Sequence, residues 1–329
     1  MSGITLVTGA TGFIGRYVLR RLAREPETCV RVLVRRPDAL DAKECRGIEV
    51  IRGDVRDPAA LSQAMHGVDT VLHLAACARA WARDPSEFSE INVEAVRRLL
   101  GLAAEYGVPN LVHVSTVLTL PPVRAAQVNG RSQVPTPYES SKREGERLVE
   151  SYAAAGRHAV IVHPTRVYGP GPLHDANGVT RAIALYLSGR LRVRLADGDV
   201  LANYVHAEDV AAGIVLAARR GHSGTHYVLG GEDASFRQLL EFASDVARLH
   251  RRVVALPVGV ALAFAGAAEW WGHLGGRAFI TRGWVRGFLE DRRADSMPAR
   301  QDLGYAPRGL NDGLSQTVAW LRAAGKVPR

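Results

Sequence analysis

Lysine and cysteine are both scarce in this 329-residue chain. Of its 42 basic residues only Lys43, Lys142 and Lys326 are lysines, and the net charge of +9 is carried by arginines spread along the whole length. No Lys/Arg-rich run occurs, so the excess reads as a compositional habit rather than a nucleic-acid patch, and it stays compatible with an acidic cofactor or substrate. The three cysteines, Cys29, Cys45 and Cys77, stand at no metal-ligand spacing. That argues against a zinc site or a disulfide scaffold and fits a reducing cytoplasm. The opening MSGITLVTGA has no basic stretch followed by an apolar one, so no secretion signal is expected. The charge-free run Val253–Ala268 falls short of the ~20 residues a spanning helix needs, and it contains Pro257 and two glycines. It reads as a buried or pocket-lid helix with no stable membrane insertion; contact with a membrane surface is the alternative.

What is present is a soluble globular composition: 47% hydrophobic, 23% charged, 33 Gly and 16 Pro. At ~150 residues per domain the length suggests two domains, or one core with a large appendage. The first half alternates apolar strands (Ile4–Thr8, Val30–Val34, Val50–Ile51, Val68–Leu74, Leu111–Ser115, Ala159–His163) with helical patterns (Gly15–Ala23, Asn92–Tyr106, Tyr138–Ala155). Near-continuous Val/Ile/Leu strands between helices mean a parallel sheet covered on both faces, hence an α/β, doubly wound Rossmann arrangement. Residues 1–165 are expected to form the dinucleotide-binding domain, with a strand and helix added from about 200–230, where Asp209–Ala218 reads as a helix and His226–Leu229 as a strand. Residues 166–329, with a further helix at Phe236–Leu249, are expected to be mainly a smaller, interleaved substrate domain.

The loop Thr8-Gly9-Ala10-Thr11-Gly12-Phe13-Ile14-Gly15 follows the first strand and opens the first helix. Glycines there permit a tight turn and bring helix N–H groups against a pyrophosphate, so Gly9, Thr11, Gly12, Phe13, Ile14 and Gly15 are candidate cofactor contacts. The spacing is GxxGxxG, and its position between strand and helix is what makes it informative. The second strand runs out into Arg35-Arg36, where an NAD site usually carries a carboxylate for the ribose 2′-OH. Two guanidiniums would pair with a 2′-phosphate, so NADP(H) is favoured and NAD(H) is the alternative. Asp54-Val55 after the third strand is placed to meet the adenine, and Leu74-Ala75-Ala76 leaves room for the cofactor backbone.

Tyr138 and Lys142 lie four residues apart at a helix start, on one face. A neighbouring ammonium favours the phenolate, which would lower the tyrosine pKa for proton exchange with an alcohol or ketone. The fifth strand ends in Ser115-Thr116, at the carboxyl edge where such sheets bind ligands. Thr116 is placed to hold a substrate oxygen; a turn or capping role is the bland alternative.

These elements, in order, resemble the extended (atypical) short-chain dehydrogenase/reductases of the NAD(P)-dependent epimerase/dehydratase, 3β-hydroxysteroid dehydrogenase and dihydroflavonol-reductase-like group. TGATGFIG, LHLAA, HVST, YESSK, HPTRVYGPG, NYVHAEDVA and ARQDLGYAP match family blocks across residues 3 to 322. The resemblance implies a catalytic trio of Thr116, Tyr138 and Lys142, with Lys142 also holding the nicotinamide ribose. It implies cofactor-side roles for Asn92, Ser115, Pro164 and Val167, and dimerisation through the helices after strands four and five. Dehydratases of the family follow the threonine with an Asp-Glu pair, whereas here Val117-Leu118 follows. Many nucleotide-sugar enzymes carry an arginine where this chain has Asn203-Tyr204-Val205-His206. Trp81, Val117, Leu118, Tyr168 and Asn203 are the expected substrate contacts. Together these point to a cytoplasmic NADP(H)-dependent oxidoreductase on a large apolar alcohol or ketone, steroid- or flavonoid-like. A nucleotide-sugar epimerase, whose relatives share the WARDP segment Trp81–Pro85, is the alternative; a non-catalytic binding protein is disfavoured by the intact trio. No metal site is expected.

Overall fold

Seven parallel strands carry the molecule, and their order sets where a ligand can sit. The computed structural model describes residues 3–25, 28–40, 47–79, 81–82, 84–124, 135–196, 200–273 and 280–328; Lys43, Cys45 and Arg83 of the WARDP segment lie outside them. The first half runs β1 (Gly3–Thr8), α1 (Phe13–Leu22), β2 (Thr28–Val34), β3 (Ile48–Arg52), α2 (Pro58–Met65), β4 (Val68–His73), α3 (Ser86–Ser89), α4 (Ala95–Glu105), β5 (Asn110–Val114), α5 (Pro137–Ala154) and β6 (Ala159–Pro164). The second half adds β7 (Arg166–Tyr168), α6 (Gly178–Leu187), β8 (Val193–Leu195), β9 (Leu201–His206), α7 (Ala207–Arg220) and β10 (His226–Leu229). It continues through β11 (Glu232–Ser235), α8 (Phe236–Ala247), β12 (Val254–Leu256), α9 (Val258–His273), α10 (Arg282–Gly287) and α11 (Leu310–Ala323).

The large sheet has the order β10-β6-β5-β4-β1-β2-β3, with every pairing parallel. The chain winds outward from β1 in both directions, so the crevice at the carboxyl ends of β1 and β4 is the topological switch point at which such sheets bind ligands. Both faces are covered. On one, Val18 and Leu22 of α1 and Val210 and Ile214 of α7 pack against Val7, Val32, Val112 and Val160. On the other, Leu61 and Met65 of α2, Leu99 of α4 and Val149 of α5 cover Leu6, Leu33, Val71 and Leu111. Burial on both sides is why these strands read as unbroken apolar runs. A third core joins Ile183 and Leu187 of α6, Leu239 and Leu240 of α8 and Leu314 and Val318 of α11 beneath the small sheet β11-β9-β7.

Local chemistry starts the helices. Asp57 caps α2 through Ala59 N–H, ahead of Pro58 at the first position. Thr136 and Glu139 form a reciprocal capping box on α5, and Ser235 and Gln238 do the same on α8. Helix α7 places Glu208 and Asp209 in its first turn and Arg219 and Arg220 in its last, complementing the helix dipole.

The charge-free run 253–268 is not a single buried helix. Its first residues form β12, paired in parallel with β8. The rest opens α9, whose Val260, Phe264, Trp270 and Trp271 are exposed. Only one side, through Ala261 and Ala265, packs against Val285 of α10.

Candidate active site

The glycine loop forms a cradle whose three glycines have separate reasons to lack a side chain. Gly9 has φ +72°, and a Cβ there would stand 2.6 Å from the Ala75 nitrogen at the end of β4. A Cβ on Gly15 would stand 2.3 Å from the Gly9 carbonyl oxygen, so glycine is required where the helix closes against its own loop. Gly12 is exposed, and a Cβ there would approach only the Gly9 oxygen, at 3.0 Å. Helix α1 therefore begins with an open backbone, no side-chain cap and no acid in its first turn. Such an end suits an anion, and the arrangement fits a dinucleotide pyrophosphate. The Phe13 ring itself is buried, edge-on to Tyr17. Only its backbone belongs to the loop's outer surface.

Across the switch point, Leu74, Ala75 and Ala76 are half-buried and continue from β4. Thr8, not singled out in the sequence, fixes this junction. Its carbonyl accepts from Leu74 N–H at 3.2 Å, and its hydroxyl accepts from Ala75 N–H at 3.3 Å. That hydroxyl also bonds His73 Nδ1 at 2.8 Å. Arg35 and Arg36 are exposed directly after β2. Arg35 leans towards Asp54, at 3.9 Å. Burial works to raise the Asp54 carboxyl, but hydrogen bonds from Arg56 and the charges of Arg56 and Arg35 outweigh it and hold it below the usual carboxylate range. Arg16 of α1 donates to the Ala39 carbonyl at 2.5 Å and pins the loop that carries the two arginines. Val55 is buried in the adjoining core.

Thr116, Tyr138 and Lys142 converge at the carboxyl end of β5. The Thr116 side chain lies close enough to the Tyr138 phenol to work towards lowering its pKa. The Thr116 hydroxyl accepts from Leu118 N–H at 3.3 Å, so the alternative capping role is filled by the same atom that is expected to hold a substrate oxygen. Lys142 is 2% exposed and its ammonium donates to the Val114 carbonyl at 2.9 Å and to His113 Nε2 at 3.3 Å. The phenol titrates differently from expectation. Burial pushes Tyr138 up to about 12; the Thr116 side chain opposes this, and the acids Glu139 and Glu146 add to the rise. The reason is that Lys142 turns away to β5, where burial brings it down to about 8 against the opposing charge of Glu146.

Asn92 sits in a π-turn, Glu90–Glu94, that leads into α4. Its side chain clamps Cys77, accepting from the backbone N–H at 2.8 Å and donating to the carbonyl at 3.3 Å. The same amide donates to Ser141 Oγ at 2.9 Å, tying the post-β4 segment to the Tyr138–Lys142 helix. π-turns of this kind recur at functional sites.

Glu146 was not singled out in the sequence, although it continues the helical phase of Tyr138 and Lys142 by one more turn. It is buried, and its carboxylate accepts from Ser115 Oγ and, at 2.7 Å, from Thr119 Oγ1. Thr119 Oγ1 also lies 2.8 Å from the Thr116 carbonyl and shares its one hydrogen between the two oxygens, so the carboxylate braces the residues on either side of Thr116. Behind it, four histidines lie in two stacked pairs: His73 with His113 at 5.5 Å and His163 with His226 at 5.2 Å. Burial pushes His73 down to about 3, puts His113 well below its ordinary value and lowers His163. All three are neutral at pH 7.

The neighbourhood of the phenol is apolar. Cys77, Ala82 and Phe88 form a small cluster on which Tyr138 packs, and Val117 is buried beside Thr116. Trp81 and Leu118 are half-buried on the same two segments, and Pro164 and Val167 bracket the end of β6 and the start of β7. Two expected substrate contacts are instead spent on the fold. Tyr168 is 1% exposed and donates its hydroxyl to the Leu310 carbonyl. Asn203 is buried and engaged within the fold: it accepts from Thr165 Oγ1 and Gly231 N–H and donates to Asp233.

A parallel sheet with this cradle and a Tyr-x-x-x-Lys helix defines an extended short-chain dehydrogenase/reductase. The family model described as NAD dependent epimerase/dehydratase matches residues 5–230, and the chain belongs to that family of enzymes. It is 29% identical over 334 residues to sterol demethylase protein B of Methylococcus capsulatus, covering 98% of this chain and 99% of that one. It is 29% identical over 335 residues to ceramide reductase of Caulobacter vibrioides, covering 99% and 97%. Among solved structures it is similar to UDP-glucose 4-epimerase of Thermus thermophilus in complex with NAD, with a TM-score of 0.73, 25% identity and coverage of 98% and 99%.

Proposed function

We propose that this enzyme is an NADP(H)-dependent oxidoreductase that interconverts a ketone and a secondary alcohol on a large apolar substrate, steroid- or sphingoid-sized. The observation that carries the reading is the Thr116–Tyr138 pair set among the apolar side chains of Cys77, Ala82, Phe88 and Val117. Relatives named for a sterol and for ceramide agree with a lipid-like substrate.

Gly9, Gly12, Gly15 and the open end of α1 would hold the cofactor's pyrophosphate, Arg35 and Arg36 its 2′-phosphate, and Lys142 its nicotinamide ribose. When bound, the nicotinamide supplies or accepts the hydride. Thr116 fixes the substrate oxygen, and Tyr138 moves the proton at its phenolic oxygen. A phenol held near pKa 12 is protonated at neutral pH. That is the form that gives a proton to a developing alkoxide when a ketone is reduced. Lys142 and Asn92 position the helix and loop on either side. Residues 166–329 would supply most of the remaining substrate wall.

The alternative is transient oxidation in a nucleotide-sugar epimerase, favoured by the full-length similarity to the Thermus epimerase. Incubating the purified enzyme with NADPH or NADH and bulky apolar ketones, and with NADP+ or NAD+ and UDP-sugars, separates the two. Stoichiometric NADPH loss with a ketone is expected. Epimerised sugar with no net change in the cofactor would overturn the reading.

A further inference from the structure

Helix α9 is apolar on its outer side as well as on its inner one. Its buried side is made of small residues, Ala261, Ala265 and Ala268. Its outer side carries Val260, Trp270 and Trp271 at 53%, 65% and 61% exposure, with Phe264 between them at 57%. Ala263 and Ala267 are exposed on the same side. The spacing 260, 263, 264, 267, 270, 271 keeps these positions on one stripe, where a water-facing helix carries polar residues. The helix contains no Lys, Arg or Asp. Its single acid, Glu269, is tied to α10, accepting from Arg282 N–H at 2.7 Å and facing the Arg282 guanidinium at 3.8 Å.

The adjoining strand pair continues the pattern and adds charge. Val193 and Val254 are register partners and are both exposed, at 45% and 68%. Arg190 and Arg192 lead into β8, and Arg251 and Arg252 lead into β12; all four are exposed. Val254 N–H donates to the Arg192 carbonyl, so the two approaches run side by side. Residues 188–196 and 246–268 together hold six arginines and no acidic residue. Among the described residues no helix is long and apolar enough to cross a membrane.

We propose that α9 and the β8–β12 edge form a docking surface for an anionic phospholipid bilayer, with Val260, Trp270 and Trp271 at the acyl boundary and the flanking arginines on the headgroups. Exposed tryptophans and arginines are the side chains that suit this boundary. Charge decides between a bilayer and a second copy of the chain. A second copy brings the same net charge of +9, whereas an anionic surface neutralises the arginine margin.

The test is co-sedimentation of the full chain with vesicles of phosphatidylcholine alone, or of phosphatidylcholine with about one-third phosphatidylglycerol. Binding to the anionic vesicles, weakened by salt and accompanied by quenching of tryptophan by brominated lipid, is expected. Trp270→Ser/Trp271→Ser should lose that quenching and at least about tenfold in partitioning. Arg192→Glu/Arg252→Glu should lose at least about tenfold on anionic vesicles only, since each arginine near the surface is worth about fivefold. Circular dichroism checks that both variants stay folded. Equal binding to both compositions, no binding to either, or binding unchanged by both variants overturns the proposal. So does a wild-type dimer that the tryptophan variant dissociates while vesicles bind neither form.

Discussion

Replacing Glu146 by glutamine should move the titration of Lys142 to lower pH. The two residues stand one turn apart on α5, and the carboxylate charge is what opposes the burial that brings the lysine down to about 8. Cβ atoms one turn apart are ~5–6 Å from each other, and two unit charges ~6 Å apart at an effective dielectric of ~20 interact by ~2.8 kcal/mol, about two pKa units. Doubling the separation halves that figure, so the drop should be at least about one unit, placing the midpoint near 7 or below. Glutamine keeps a carbonyl oxygen to accept from Ser115 and Thr119, so the brace around Thr116 is weakened rather than removed. The chain's three lysines make the assay direct: 13Cε-lysine labelling gives one resonance each from Lys43, Lys142 and Lys326, and Lys142→Met assigns the one of interest. A midpoint unchanged from wild type would refute the electrostatic link. A midpoint that rises would show that water has entered and that the substitution acted by loosening the site, because hydration returns a lysine towards its ordinary value.

Tyr138→Phe should abolish turnover while leaving NADPH affinity nearly intact, because only the proton-carrying oxygen is removed; steady-state rates and cofactor titration of one preparation check it, and retention of most activity would sink the assignment. Arg35→Asp should weaken NADPH relative to NADH by at least roughly tenfold, since hydrogen bonds to charged groups are worth ~1.5–3 kcal/mol and the new carboxylate repels the 2′-phosphate. Dissociation constants for both cofactors at one ionic strength decide this, with Arg35→Asp/Arg36→Asp as the cleaner comparison; a ratio that does not move means the two arginines do not read the phosphate.

The large sheet was legible because its strands are buried on both faces and carry the same apolar signal along their whole length. The small sheet was not. β9 buries Asn203 and His206. The partners that satisfy Asn203, Thr165 and Asp233, come from distant strands, and no local pattern announces them. Tyr168 illustrates the same gap: its neighbours are Leu310 and Gly313, over 140 positions away, so proximity to a family block suggested a pocket where there is a core. Helix α2 escaped notice because half of its buried positions, Ala60 and Ala64, carry almost no hydrophobic signal.

In the site, spacing correctly put Tyr138 and Lys142 on one helix but could not say which way the ammonium turns. That is decided by Val114 and His113, supplied by a strand 28 and 29 residues upstream. The charge-free run failed for a different reason. Its composition says apolar, and the usual inference from apolar to buried breaks where alanines take the inner side and tryptophans the outer.

The buried histidines also make folding a proton-coupled event. His73, His113 and His163 beside the site and His206 at the head of α7 are all held neutral by burial, with His73 near 3 and His206 near 4. In the unfolded chain each regains a value of ~6.5, so below that pH unfolding takes up protons that the native state refuses. Stability is therefore fully present above ~6.5 and is lost as pH falls through ~6.5 towards the native values, by up to ~1.4 kcal/mol per pH unit for each imidazole. Urea midpoints at neutral and mildly acid pH measure the slope, and a flat profile would mean that the rings charge without leaving the fold. The strands that carry the proposed site should therefore give the chain a steep acid boundary, one in which proton uptake rather than loss of any apolar contact starts the collapse.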